Sequence, residues 1–421
     1  MKNLNQWLDY QLTLNNKEID LSLDRLIEVK ERLNFTQPDI KIFLVAGTNG
    51  KGTTCHLIQE LLINKGLNVG TYTSPHLIDY NERVKFNDQN IDDSSLIESF
   101  EVIEKLRNDI PLTYFEYGTL GAFIALSSKP CDAWVIEVGL GGRLDATNIL
   151  NPSVAVITSI SMDHQDWLGD DIESIAREKA GIIKGGAPCV SSAKNVSAVI
   201  RDFANKHNAC LYEINDDYSI LKSKEGYIWD FNNIQIYQDI SIPNHWGEGE
   251  ITNLSTSLAA IHVSEKSLLP SIEELNLIIS EFSLPGRFHI INEEIPWILD
   301  VAHNYESAVN FLQRLDSHEI SGDILMIFGM MRDKDIENYI KILKNRVKDW
   351  IATGLDSSRA SSAAEISEFL NGENISNVIK ANNPAEAIDE AKKVSHNYDA
   401  VIVSGSFELV GPALNCLQEK S

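Results

Sequence analysis

Cysteine is sparse and scattered in this sequence of 421 residues: Cys55, Cys131, Cys189, Cys210 and Cys416 are odd in number, and no two form a C-x-x-C pair. That speaks against a disulfide framework and fits a reducing cytoplasm, with the thiols as small core residues. Long basic runs are missing too, and the formal net charge is −25. A nucleic-acid partner is therefore not expected, and any anionic ligand must be held by a local nest, a few cations and metal ions against a repulsive overall field. No apolar run approaches the length of a membrane span, and the opening MKNLNQWLDYQLTL lacks the basic end and apolar core of a signal peptide. The expectation is a cytoplasmic chain with no membrane partner. Repeats and low-complexity segments are also absent. What remains is an ordinary globular composition, 43% hydrophobic and 23% charged, in a chain longer than one core usually serves, so two domains are expected.

Against that plain background, GTNGKGTT at 47–54 stands out, directly after the apolar run IKIFLVA. Ile40 to Ala46 reads as a buried strand. Leu57, Ile58, Leu61 and Leu62 share a helical face beyond the loop, and Gly66 is placed to end that helix. A strand, a glycine-rich turn and a helix start form a nest for phosphate, which Lys51 can reach while Thr53 or Thr54 meets Mg²⁺. The usual phosphate-loop pattern is only partly matched: Val45 stands where a glycine is expected and Gly52 where Ser or Thr is expected. A flexible turn with a solvated lysine is the plainer reading of the loop alone.

Further strands read at 68–73, 133–138 and 154–160, alternating with helical stretches, which indicates a largely parallel α/β sheet. Residues 210–245 change to short polar-aromatic strands, read as antiparallel hairpins attached to the first domain. After LPGRF at 284–288 a second alternating series begins with WILDVA, ILMIFGM, DWIATG and DAVIVSG. The fold class expected is α/β: a P-loop nucleotide-binding domain with a parallel sheet over 1–285, plus a smaller C-terminal Rossmann-like α/β domain over 286–421.

Open parallel sheets bind ligands beyond the carboxyl ends of their strands. Ser74, Glu137, Asp163 and His164 all stand at such ends, and the hydroxyl, carboxylate and imidazole of Ser74, Glu137 and His164 suit a divalent ion beside a phosphate chain. Taken singly, His164 could be a turn residue and Glu137 could pair with Arg143. LGGRLDATN at 140–148 permits close backbone approach to a ligand or is simply a glycine-rich connector. In the second domain Asp300, His303, Asn304, Asp333, Lys334 and Asp335 follow strands and would look into the same cleft if the domains face each other.

With SPHL, LTYFEYGTL, EVGLGGRLDATN, TSISMDHQDWLG, REKAGI, DVAHN, GMMRDKD and SGSF, these stretches resemble the folylpolyglutamate synthases, most closely their bacterial bifunctional form that is also dihydrofolate synthase. The sequence is similar more distantly to the Mur peptide ligases. The resemblance runs from residue 20 to about 410. It implies an ATP-dependent amide ligase that phosphorylates a carboxylate and lets the amine of L-glutamate attack the acyl phosphate. Its substrates would be dihydropteroate, reduced folates and L-glutamate, its cofactors ATP and two Mg²⁺, and its state a monomer.

Carried over, Thr48, Asn49, Gly50 and Lys51 would cradle the triphosphate, with Asn253, Arg287 and Asp300 on ATP, and Ser74, Glu137 and His164 would hold magnesium. Asp20, Leu21, Ser22, Leu23, Thr113, Tyr114, Phe115, Glu116, Leu144, Asp145 and Ala146 match the pterin-side pocket. Lys179 matches a lysine that is carbamylated in the family; otherwise it would pair with Glu178 or Glu173 on a helix face. Lys51, Lys179, His164 and Glu137 are the residues expected to carry the chemistry. Two positions depart from the family: Tyr305 follows DVAHN where proline is common, and the approach to Asn253, GEGEITN, is unlike the usual one.

Rival readings fare less well. A kinase or GTPase would need the strict phosphate-loop pattern, and only 46 residues precede Gly47, too few for the nucleotide-sugar domain of a Mur peptide ligase. A non-catalytic nucleotide-binding module would not need the strand-end residues of a second domain. Lys51→Ala is expected to fold normally and to lose at least about a hundredfold in turnover, on the order of 3 kcal/mol of transition-state stabilisation. Near-normal rates in a folded variant would remove Lys51 from the site.

Overall fold

The computed structural model describes residues 2–17, 19–318, 320 and 322–418. The chain forms two compact units: one of residues 1–76, 80–242 and 250–280, the other of 77–79, 243–249 and 281–421.

The first unit is built on an eight-stranded sheet. Its strands are β1 (Lys41–Ala46), β2 (Val69–Tyr72), β3 (Val84–Phe86), β4 (Gln89–Asn90), β5 (Ala133–Glu137), β6 (Val154–Ile157), β7 (Cys189–Ser191) and β8 (Leu211–Glu213), in the order β4-β3-β2-β5-β1-β6-β7-β8. From β2 to β8 every pairing is parallel, while β3 and β4 extend one edge antiparallel. Helices must cover both faces of a parallel sheet, which is why Ile42 to Ala46 form a continuous apolar run and are wholly buried. β1 lies between β5 and β6, with Val45 beside Glu137 and Ala46 beside Ile157.

The helix Lys51–Asn64 leaves the loop after β1 and packs Leu57, Ile58, Leu61 and Leu62 against the sheet. Its C-terminal turn closes at Gly66, whose φ of +83° is open to glycine without strain. On one flank Phe123, fully buried in the helix Tyr114–Ser127, stacks on Trp134 of β5 at 5.7 Å and meets Phe35 and Tyr72 at 6.1 and 6.2 Å.

The expectation of hairpins over 210–245 needs one correction. Leu211–Glu213 is a parallel strand of the main sheet, with Leu211 beside Cys189. Only β9 (Tyr218–Lys222), β10 (Tyr227–Phe231) and β11 (Ile234–Ile240) form the antiparallel sheet. A three-residue strand carries too little periodicity to reveal its partner, which lies on the far side of a helix.

The second unit holds a six-stranded sheet in the order β12-β13-β17-β14-β15-β16, with β12 (His289–Asn292), β13 (Pro296–Asp300), β14 (Ile324–Phe328), β15 (Asp349–Thr353), β16 (Val378–Ala381) and β17 (Ala400–Ser404). All pairings but β12 with β13 are parallel. The helix Tyr305–Ser317 starts without the proline common in the family, because Asn304 and Ser307 form a capping box and leave Tyr305 exposed.

None of the helices among the described residues is long and apolar enough to cross a membrane. All five cysteines are free thiols, Cys55 and Cys189 buried. Phe123→Ala removes the ring that joins the helix Tyr114–Ser127 to β2 and β5, and it should cost about 3–5 kcal/mol in the unfolding of the first unit. Denaturant melts followed by tryptophan fluorescence would check this; a loss below about 1 kcal/mol would mean that the aromatic stack is not load-sharing.

Candidate functional site

The loop at 47–50 is fixed by what its carbonyls receive. Thr158 Oγ1 donates to the Asn49 carbonyl at 2.7 Å, Lys51 Nζ to the Thr48 carbonyl at 3.2 Å, and Lys179 Nζ to the Gly47 carbonyl at 2.7 Å. Thr48 is tied twice more, its N–H to the Ser159 carbonyl at 2.7 Å and its hydroxyl to the Ser161 carbonyl at 3.2 Å. The loop carbonyls are thus occupied from outside, while the first N–H groups of the helix Lys51–Asn64 have no carbonyl one turn earlier to bind. That arrangement is an anion nest at a helix N-terminus.

Two glycines are needed at specific points. Gly50 has φ +83°, and a Cβ there would stand 2.3 Å from Asn253 Oδ1. Asn253 therefore lies directly on the loop, buried in the helix Glu248–Ser264, although the residues leading to it are atypical. At Gly52 a Cβ would sit 3.7 Å from Glu137 Oε2, so the carboxylate packs on the first helical turn.

Glu137 is buried at the end of β5 and accepts from the Ser74 N–H at 3.0 Å. Its suggested alternative partner is taken elsewhere: Arg143 pairs with Glu178 at 2.9 Å, and Arg177 with Glu173 at 2.7 Å. Lys179 consequently is not a surface pair of the helix Ile172–Ala180; it is buried and points at the loop. Gly142 lets the LGGR turn lie on that helix, where a Cβ would meet the Glu178 carbonyl at 2.8 Å. His164, at φ +52°, follows the segment of Thr158, Ser159 and Ser161 that holds the loop, and its Nε2 is 3.9 Å from Asp163 Oδ2.

Among the described residues no three His, Cys, Asp or Glu side chains cluster as metal ligands. Ser74, Glu137 and His164 supply one hydroxyl, one carboxylate and one imidazole. Such a set suits a hard cation that draws its other ligands from phosphate oxygens and water, as Mg²⁺ does.

The residues expected at the pterin side meet through Arg25, which the sequence reading missed. Its guanidinium binds Asp20 Oδ2 at 2.8 Å and Glu116 Oε1 at 3.0 Å, joining the stretch of Asp20, Leu21, Ser22 and Leu23 to that of Thr113, Tyr114, Phe115 and Glu116. Thr113 and Glu116 close a capping box, Glu116 Oε2 accepting from Thr113 N at 2.7 Å. The T-x-x-E spacing of TYFE was the available signal. Asp145 is likewise engaged, accepting from Leu140 N and from the N–H and hydroxyl of Thr147, while Leu144 and Ala146 flank it. Burial raises the carboxyls of both Glu116 and Asp145 above their ordinary range. Lys17, Ile19, Asp20, Leu21 and Trp167 line an open cavity of about 320 Å³ at this side.

Within the second unit, Asp300 at the end of β13 accepts from Phe288 N and Ala302 N, both at 2.8 Å, and fastens the LPGRF turn to the strand end. Burial pushes its carboxyl up, opposed by Arg314 and Arg287. The Arg287 guanidinium lies 5.4 Å over the Phe407 ring, and the His303 ring lies 6.4 Å from it, which unites LPGRF, DVAHN and SGSF. His303 Nδ1–H donates to the Val301 carbonyl at 2.8 Å.

Gly50→Ala should destabilise the first unit by more than about 1 kcal/mol, through both the positive φ and the contact with Asn253. Adding Asn253→Ala should return only the contact part, so the double-mutant cycle should show favourable coupling. Strict additivity would place Asn253 away from the loop.

The Mur ligase middle domain model matches residues 45–293, and that of the Mur ligase glutamate ligase domain matches 286–407. The dihydrofolate synthase/folylpolyglutamate synthase of Escherichia coli (strain K12) is 38% identical over 99% of this chain and 96% of its own length, and that of Bacillus subtilis (strain 168) is 32% identical over 92% and 93%. Among solved structures, E. coli FolC in complex with DHPP and ADP superposes with a TM-score of 0.92 at 37% identity, covering 100% of this chain and 98% of that one. A bifunctional folylpolyglutamate synthase/dihydrofolate synthase with Mn, AMPPNP and L-glutamate bound gives 0.89 at 38% identity, over 99% and 98%. The chain therefore belongs to the Mur ligase family, among its dihydrofolate synthases/folylpolyglutamate synthases, which are ATP-dependent ligases.

Proposed function

We propose that this chain adds L-glutamate to dihydropteroate, making dihydrofolate, and to reduced folates, making folylpolyglutamates, through an acyl phosphate. The observation that carries the reading is the nest at Gly50 and Lys51 with the Glu137 carboxylate packed on the same helical turn at Gly52. A nucleotide's outer phosphates and the divalent ion that bridges them need a phosphate nest and a metal-binding carboxylate side by side.

A carboxylate is a poor electrophile until one oxygen becomes part of a phosphate leaving group. Transfer of the terminal phosphoryl group of ATP demands alignment and neutralisation of charge more than covalent help. In this reading Thr48, Asn49, Gly50 and Lys51 hold the triphosphate, with Asn253 at the loop and Arg287 and Asp300 contributing from residues 286–421, taken as the glutamate-ligase domain beside an ATP-binding domain of 1–285. Two Mg²⁺ ions, when bound, would neutralise the transferring phosphate. Ser74, Glu137, His164 and Lys179 would hold them. Tyr114 and Phe115 would offer ring faces to the pterin, while Asp20 to Leu23 and Leu144 to Ala146 shape its pocket. The chain would work as a cytoplasmic monomer.

Lys179 enters as a carbamate. Its amine adds CO₂ and releases one proton, turning a cation into an anion with two hard oxygens for Mg²⁺. The product keeps one N–H, a donor for the Gly47 carbonyl that the amine binds at 2.7 Å.

Incubation with ATP, Mg²⁺, L-glutamate and either dihydropteroate or tetrahydrofolate, followed by mass analysis, should show one glutamyl addition to the first and chain extension of the second. Extension of tetrahydrofolate alone would leave a monofunctional folylpolyglutamate synthase; ATP hydrolysis independent of glutamate would overturn the ligase reading. In the same assay Lys179→Ala should lose at least about a hundredfold in rate and recover partly with short carboxylic acids. Unchanged turnover would return Lys179 to a structural role.

A further inference from the structure

Arg83 was not among the residues the motifs pointed to, yet it is a buried cation at the edge of the proposed site. It is 9% exposed and makes no ion pair among the described residues. The side chains it touches are two phenol rings and an imidazole, with the Glu82 carboxylate acting on that imidazole but not paired with Arg83. The guanidinium lies 5.2 Å over the Tyr80 ring and 5.6 Å over the Tyr114 ring, and its Nε–H donates to His76 Nδ1 at 2.8 Å. That bond puts the imidazole proton on Nε2. One of five N–H donors is thereby used. The four on the two Nη atoms find no acceptor among the described residues.

Leaving a buried guanidinium without an anion is costly. Natural folds keep such a group where a ligand completes it. The anion it would take is fixed by its position. The Arg83 carbonyl accepts from Thr73 N at 2.9 Å, directly before Ser74, whose own N–H binds Glu137. Its other side is Tyr114, next to Phe115, whose ring fills the space over Gly139 and lies 6.3 Å from Tyr72. Arg83 therefore stands between the strand end proposed to hold metal and phosphate and the segment proposed to hold the pterin. In a ligase that activates a pterin-bearing acid, the group that must lie between those two is the acid's carboxylate.

We propose that Arg83 receives the carboxylate of the pterin substrate before it is activated. Arg83 presents the planar fork of its Nη groups to the two carboxylate oxygens, an arrangement matched to bidentate pairing. The Tyr80 and Tyr114 faces hold the fork in plane, and His76 fixes its rotation through Nε. This rests on the ligase reading above.

The test pairs a change in the protein with a change in the ligand's charge. Binding of dihydropteroate and of its neutral carboxamide is measured by fluorescence titration in the presence of ADP and Mg²⁺, for the unmodified enzyme, Arg83→Gln and Arg83→Lys. The unmodified enzyme should prefer the acid by about ten- to a hundredfold, the range for charge-assisted hydrogen bonds. Arg83→Gln should bind acid and amide alike, Arg83→Lys should keep part of the preference, and ADP affinity should stay the same in all three. If Arg83→Gln retains the preference, or weakens acid and amide equally, Arg83 only packs the aromatic cluster and the proposal falls. If the unmodified enzyme ligates glutamate to dihydropteroate yet shows no preference for the acid, the carboxylate is held elsewhere and Arg83 is excluded. If it ligates glutamate to no pterin acid, the functional reading fails first and the role of Arg83 goes with it.

Discussion

The position of β1 between β5 and β6 sets the geometry of the expected site. Because the three strands run parallel, their carboxyl ends lie together, and three separate pieces of chain turn over at one edge. The glycine loop leaves Ala46, the Glu137 carboxylate ends β5 beside Val45, and the Thr158–Ser161 segment leaves Ile157. Side chains alternate along a strand, so a slip of one residue between β1 and β5 would carry Glu137 to the opposite face. The slip is opposed by burial on both faces: Phe43, Leu44, Val45 and their partners Val135 and Ile136 are wholly inaccessible to solvent. Apolar packing thus fixes where a charged group stands.

A loop that is to bind phosphate has to leave N–H groups for the ligand, here those at the start of the helix Lys51–Asn64 since Thr48 N–H is spent on the Ser159 carbonyl, and a flexible loop would lose entropy on doing so. Here the ordering is done in advance. Carbonyls of Gly47, Thr48 and Asn49 accept from Lys179, Lys51 and Thr158, groups drawn from a helix, the loop itself and the end of β6. Preorganised dipoles of this kind are worth more than equal dipoles that must reorient. The same design explains why Lys179, far along the chain, belongs with the loop: it is one of the pegs that hold it.

Local chemistry made much of this legible. The strand before the loop, the helix after it and Gly66 at its end follow from apolar spacing and from the conformations only glycine takes easily. The C-terminal series of strands was legible because each is a compact apolar run in a parallel sheet. Leu211–Glu213 was misread because a strand of three residues has no pattern of its own; its identity comes from Cys189 beside it. The relation of Asn253 to Gly50 rests on contact between residues far apart in sequence, which the unusual GEGEITN approach could not announce. Arg25 and Arg83 were invisible for the same reason. Nothing in LSLDRL or YNERVK distinguishes a clamp or a buried fork from a surface cation; Arg25 becomes a clamp only when Glu116, 91 residues later, arrives beside it.

How an acidic chain accommodates anionic ligands follows from where its cations lie. Sixty-one acidic residues face 36 Lys and Arg, but exposed charges act over little more than the Debye length of about 10 Å at 0.1 M salt. The surface excess therefore says little about a buried edge. Many basic residues are spent in exposed pairs such as Arg177 with Glu173 and Lys206 with Asp202, which contribute little to stability. Buried cations among the described residues are few: Arg83, Arg107, Lys179 and Arg314. Arg107 is held by Glu104 at 2.7 Å, and Arg314 stands 4.0 Å from Asp300. Lys179 reaches the loop, where its proposed carbamate would carry negative charge, so the cation left beside that sheet edge is Arg83, at the end of β2. In a low-dielectric setting one such charge outweighs several on the surface, so the local sign of the potential at that edge is set by burial, and the net charge of −25 does not oppose an anion there.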